Sequence, residues 1–209
     1  ATSYADNDKL WAVAKDKVNA KLAEQNLVTL YSCPWPGQGF YFKKEVNSSE
    51  DTQGVKFRSY NTATATFAEE LGMIPVQVEA AELSQALATG VVDAFISSGS
   101  TGYDLKVWEQ LGYYYKVNAW LPRNYVMVNK QVWDGLSADT QAAIQKAADE
   151  TGAACTAKSE ELANWYFEQL EANGMKVVDA GPEFRAELEA IGAKMTDEWL
   201  ATVGGDGQE

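Results

Sequence analysis

Val55-Lys56-Phe57-Arg58-Ser59-Tyr60 alternates in the period of a strand, with Val55 and Phe57 on one face and Lys56, Arg58 and Tyr60 on the other. Arg58 falls near the end of that strand. A guanidinium there offers a rigid fork of donors that matches a carboxylate and does not discharge by losing a proton, which is chemistry suited to holding an organic acid. An ordinary surface or ion-paired arginine fits the same spacing, so the pattern alone leaves both readings open. Asn61, just past the strand end, reads equally as a donor to a bound molecule or as the cap of the next helix. Ser97, Ser98 and Thr101 form a hydroxyl-rich stretch. Trp35 and Trp120 supply flat rings that would stack on an aromatic or branched acid, or would pack as core or hinge residues.

Other chemistries find little support. The chain contains no histidine, which removes the common general base and every Ser-His-Asp or Cys-His arrangement. Glu69-Glu70 and Glu160-Glu161 are adjacent helical pairs whose side chains diverge, as on a solvated face. Gly99-Ser100-Thr101-Gly102 lacks the lysine and spacing of a phosphate loop. Cys33 and Cys155 fit no zinc pattern, so neither a metal nor a cofactor is expected; two buried free thiols are the preferred state, with one disulfide as the alternative. A net charge of −13 repels phosphate backbones and anionic membrane surfaces, so no nucleic-acid partner is expected. It also repels a small anion at long range, which makes a locally concentrated positive group such as Arg58 necessary.

Several elements must position these residues. Thr62 to Leu71 reads as a helix closed by Gly72, Pro75 to Val78 as a strand, Ala80 to Thr89 as a helix closed by Gly90, and Val91 to Ser97 as a further strand. Strands alternating with short helices imply right-handed crossovers and a largely parallel sheet. Ligands on such sheets sit beyond the carboxyl ends of the strands, here at Arg58 to Asn61 and Ser97 to Thr101. Upstream, Leu10, Trp11, Ala14, Val18 and Leu22 predict a helix over 7–25 that feeds a buried strand over 27–31, and Cys33 to Gly39 reads as a Pro- and Gly-rich loop. Downstream, strands are expected over 113–121 and 125–129. Ser137 caps a helix reaching Asn173, about 54 Å long, that either breaks near Gly152 or, as preferred here, bridges two lobes. A strand over 175–178 and a helix from Pro182 through Trp199 follow, and the tail 204–209 is expected to fray. The start, Ala1-Thr2-Ser3-Tyr4-Ala5-Asp6, has no basic or apolar leader region, so any secretory signal is expected to have been removed or never to have been in this sequence.

Glu50-Asp51-Thr52-Gln53-Gly54-Val55-Lys56-Phe57-Arg58, then Leu71-Gly72-Met73-Ile74-Pro75-Val76, then Glu82 to Asp93 resemble the core signature of TRAP transporter solute-binding proteins, the DctP type. Val126-Met127-Val128-Asn129 and Trp133-Asp134-Gly135-Leu136-Ser137 extend the resemblance to nearly the whole chain. It implies an α/β, two-lobe periplasmic-binding-protein-like fold with mixed sheets, the lobes joined by crossing strands and a long helix. Residues 1–35 and 123–163 would form one lobe, lacking its N-terminal part, and 36–122 and 164–209 the other. The implied protein is a periplasmic receptor that closes by hinge bending around a small organic acid and hands it to the membrane subunits of a TRAP-type transporter. Arg58 matches the family's carboxylate-clamping arginine. Ser97 stands where many members place a ligand-holding asparagine, and Ala80 where some place a bulky aromatic. Gln38-Gly39 occupies the loop where sialic-acid-binding members carry a second arginine, so Gln38 joins the candidates and sialic acid is disfavoured. An enzyme acting on a carboxylic acid through Asp93, Glu82 or Tyr60, and the sensing domain of a signalling receptor, are the rival readings.

Overall fold

Gly39-Phe40-Tyr41-Phe42 forms the buried middle of one of two units into which the chain divides. In the computed structural model, which describes residues 2–203, this unit comprises Gly39–Ser97, Gly102–Val117 and the chain from Leu170 onward. Its six strands are β2 (Gly39–Phe42), β3 (Lys56–Ser59), β4 (Ile74–Gln77), β5 (Ala94–Ser97), β6 (Tyr113–Tyr115) and β8 (Lys176–Val178), in the order β4-β3-β5-β2-β6-β8. β3 runs parallel to β4 and β5, and β6 parallel to β8, while β2 is antiparallel to both its neighbours. The sheet is therefore mixed rather than largely parallel, because the unforeseen β2 inserts between the two parallel sets. Gly39 is required at the head of β2, since a Cβ there would meet the Tyr115 carbonyl oxygen and the Tyr114 ring.

The aromatic side chains of β2 alternate between the two faces of the sheet. Phe40 lies 5.6 Å from Phe42 and 5.8 Å from Phe67 of α2 (Thr62–Glu70). It also approaches Phe57 and Phe184, the latter on α7 (Pro182–Val203). On the other face Tyr41 stacks on Phe95 at 4.3 Å and tilts against Tyr114 at 4.6 Å. Full burial of each such ring contributes roughly 1.5–3 kcal/mol. α3 (Leu83–Ala88) adds the buried Leu83 and Leu87.

The other unit contains the chain up to Gln38, Ser98–Thr101 and Asn118–Gln169. β1 (Leu27–Pro34) pairs antiparallel with β7 (Arg123–Asn129) in a two-stranded ribbon, accompanied by α1 (Tyr4–Glu24), α4 (Gly99–Asp104), which continues into the other unit, α5 (Lys130–Asp134) and most of α6 (Ala138–Ala172). β1 extends to Pro34 and is half-buried, not the short buried strand expected, because a two-stranded ribbon leaves part of each strand uncovered. The apolar stripe expected of α1 is covered unevenly: Trp11 meets Tyr125 at 5.5 Å, whereas Leu10 remains 56% exposed. α6 is continuous through Gly152, and only its last residues, after Gln169, belong to the first-described unit. Cys33 and Cys155 are joined by a disulfide with a Cα separation of 5.8 Å, which overturns the preference for free thiols and ties β1 to α6.

The chain passes between units after Gln38, Ser97, Thr101, Val117 and Gln169, where the sequence reading placed its passages near 35, 122 and 163. Segment 35–38 stays with 119–122 through backbone bonds: Trp35 donates to Pro122 at 2.7 Å, Gln38 to Trp120 at 3.0 Å, and Ala119 to Gln38 at 3.0 Å. The strand expected over 113–121 stops at Tyr115, and Asn118, at φ 47°, turns the chain through the left-handed region. The tail 204–209 lies outside the described residues. Among the described residues no helix is long and apolar enough to cross a membrane, and no group of three acidic, cysteine or histidine side chains is placed to hold a metal ion.

Candidate functional site

Arg58 is fixed by the strands on either side of it, with Val76 of β4 and Phe95 of β5 as its register partners. Pairing of β3 with β4 continues one step past the strand, where Val78 donates its N–H to the Ser59 carbonyl at 3.2 Å. That step brings the Val78 carbonyl to the arginine, whose Nε–H donates to it at 2.8 Å. Arg58 is only 6% exposed, and its guanidinium carbon lies 4.9 Å from the centre of the Tyr60 ring. Burial lowers the guanidinium pKa, and the negative potential of Tyr60 and Glu79 opposes that drop.

No carboxylate among the described residues forms an ion pair with Arg58. Arg123 provides the contrast. Its side chain is 9% exposed, its Nη2 is 2.6 Å from Asp8, its Nη1 donates to Ser32 at 3.3 Å, and its guanidinium lies against Trp11. Arg123 thus has a carboxylate partner although its buried Nε has none, whereas Arg58 has its Nε bonded and no carboxylate.

Asn61, exposed at the start of α2, is a helix cap: its Oδ1 accepts from the Thr64 N–H at 2.8 Å, and the Thr64 hydroxyl accepts from the Asn61 N–H at 3.2 Å. The same hydroxyl accepts from the Tyr60 N–H at 3.1 Å, so Thr64 fixes both Tyr60 and Asn61. Ser97 ends β5 opposite Gly39. Arg58, Asn61 and Ser97 thus share one edge of one unit, at the carboxyl ends of the parallel strands β3 and β5.

The remaining candidates for ligand contact belong to the other unit. Ser98 is buried and shares a 2.7 Å hydrogen bond with the Ser100 hydroxyl. Gln38, 4% exposed, donates its amide N–H to the Pro36 carbonyl at 3.1 Å. Trp35 is 40% exposed and lines a cavity of about 320 Å³ with Tyr31, Pro36, Ser100, Leu162 and Tyr166, while Trp120 is half-buried in the connecting segment. Among the acid–base candidates, Asp93 is held by Lys43 at 2.6 Å and Lys56 at 3.4 Å. Burial works against its charge, yet the two ammonium groups outweigh it and hold the carboxyl below its usual range. Glu82 is exposed at the start of α3. Sequence reasoning missed the Val78 carbonyl and Glu79 as neighbours of Arg58, because neither backbone acceptors nor register across a crossover can be read from residue types.

Residues 2–202 match the family described as bacterial extracellular solute-binding protein, family 7, the DctP family. The chain belongs to this family. A solved TRAP solute-binding protein of the family's kind, from an unidentified microbe of a marine metagenome, is 79% identical over 100% of this chain and 68% of its own, with a TM-score of 0.97; it is specific for pyroglutamate and was solved with co-purified pyroglutamate. A Bordetella pertussis extracytoplasmic solute receptor that binds pyroglutamic acid is 42% identical, covering 100% of this chain and 69% of its own, also at a TM-score of 0.97. The C4-dicarboxylate-binding periplasmic protein DctP of Rhodobacter capsulatus is 29% identical over 75% of this chain. The DctP-family chain spans 48% of that relative's length, about half. Its α/β fold is that of the two-lobe TRAP binding proteins, as the sequence signature implied.

Proposed function

We propose that this chain carries the acid-binding arginine of a periplasmic receptor that takes pyroglutamate and delivers it to the membrane subunits of a TRAP-type transporter. The observation that carries the reading is Arg58, buried, held at Nε and without a carboxylate partner among the described residues. A buried cation without a counter-charge is costly, and the carboxylate of a bound acid supplies that charge with two hydrogen bonds. Identity of 79% to a receptor solved with co-purified pyroglutamate, and of 42% to a second that binds the same acid, supports the choice of ligand. Pyroglutamate carries one carboxylate on a five-membered lactam, which matches one arginine clamp. Ser97 offers a hydroxyl at the strand edge that Arg58 occupies. Ser98, Gln38, Trp35 and Trp120 are proposed as further polar and flat apolar contacts, while Asn61 acts through its cap. The disulfide fits the oxidising periplasm.

A thermal-shift panel on the full-length protein tests the reading. Pyroglutamate should raise the melting temperature in proportion to the logarithm of its concentration once in excess, and should be recovered unchanged after hours, as a receptor rather than an enzyme requires. If a neutral sugar or a cation shifts the transition and no acid does, the role given to Arg58 fails.

A further inference from the structure

The five donors of Arg58 are not equivalent in this fold. Nε–H is committed to the Val78 carbonyl at 2.8 Å, the guanidinium carbon lies over the Tyr60 ring at 4.9 Å from its centre, and the side chain is buried. The ring is itself placed by the chain: Tyr60 donates its backbone N–H to the Thr64 hydroxyl inside the capping box of α2, so the turn leaving β3 cannot drift without breaking the helix start. A hydrogen bond at one edge and a ring beneath the guanidinium carbon together restrict the tilt and the rotation of a planar group.

We infer that Tyr60 is a positioning residue for the arginine clamp, holding the guanidinium plane so that the acid is taken end-on through Nη1 and Nη2 rather than side-on through Nε. The inference rests on the proposed role of Arg58 and adds to it the residue that orients the fork. An end-on pair of parallel N–H donors matches the two coplanar oxygens of a carboxylate, so loss of the ring should weaken carboxylate binding without removing the charge.

The test uses the full-length protein with Tyr60→Phe, Tyr60→Leu, and a series in which the ring of the Tyr60→Phe protein carries one, two or three fluorines, which withdraw electron density at nearly constant shape. Pyroglutamate affinity should fall stepwise along the series, by about tenfold in all, with the melting temperature of the free protein unchanged. A flat series overturns the inference, because a merely space-filling ring is indifferent to fluorine. Nitrogen-detected NMR of the free protein gives a readout that needs no ligand: the Arg58 Nη signals should remain distinct in the Tyr60→Phe protein and merge in the Tyr60→Leu protein as rotation about the Cζ–Nε bond speeds up. A wild-type protein that binds no pyroglutamate sinks the functional reading, and the NMR arm still decides the role of Tyr60, with unchanged rotation in Tyr60→Leu overturning it.

Discussion

Arg58 and Arg123 are buried to a similar degree and differ in their partners, one leaving its Nη groups without a carboxylate and the other bound by Asp8 and Ser32. Residue type and strand spacing located Arg58 near a sheet edge, but only the family signature favoured a clamp over an ion pair, since a partner's absence has no sequence pattern. Replacing the unpaired arginine with a flexible apolar chain should cost the free fold little: Arg58→Met should keep the melting temperature within a few degrees, or raise it, while reducing affinity at least about 100-fold. Calorimetric melting beside a binding titration checks both halves, and a variant that fails to fold would show that the arginine is structural. The pH dependence has a definite sign. Burial lowers the Arg58 pKa, but a guanidinium starts so high that it stays charged through the neutral range. Affinity should therefore be flat from about pH 5 to 9 and fall only as the acid's own carboxylate is protonated, near pH 4 and below. A loss of binding between pH 6 and 8 in titrations across this range would point to a different titrating group.

At the next scale the turn after β3 fixes the residues that follow Arg58, and in the other unit a disulfide ties β1 to α6. Asn61 could be read from its position only as cap or ligand donor; the capping box with Thr64 assigns it the first role. Asn61→Ala should cost about 1 kcal/mol of stability and leave pyroglutamate affinity within about threefold, as measured by chemical denaturation and titration of the same preparation. A large loss of affinity with little loss of stability would restore Asn61 as a ligand. Helices with clear start and stop residues, α2 and α6 among them, were legible because caps and closing glycines are local signals. β2 was not, since its four residues follow a Pro- and Gly-rich run and have no polar alternation to betray a strand buried on both faces. The disulfide was also unreadable, because Cys33 and Cys155 lie 122 residues apart and only the fold brings β1 to α6. Closing so long a loop stabilises chiefly by restricting the unfolded chain, so reduction or Cys155→Ser should cost about 2–5 kcal/mol and lower the melting temperature. An unchanged transition under reducing conditions would mean that the bridge contributes nothing.

Over this whole chain, a net charge of −13 sets a field that disfavours any anion, so the proposed recognition of an acid would come from contact rather than steering. The exclusions drawn from composition concern the entire chain and needed no structure. The order of elements was legible because each spacing between signature blocks is also the spacing of a βα unit; the passages between units were not, since backbone bonds such as that from Gln38 to Trp120 leave no trace in residue type. The chain covers 48% and 57% of the lengths of two relatives, so the binding predictions apply to the full-length protein. Isothermal titration of pyroglutamate into the wild-type protein and the Arg58→Lys variant decides whether the planar fork of Arg58 holds the acid. A single saturable site is expected in the wild type and at least about a 100-fold weaker one in a variant that melts at the same temperature, because an ammonium keeps the charge and loses the planar fork. Equal affinity in the two folded proteins would contradict it.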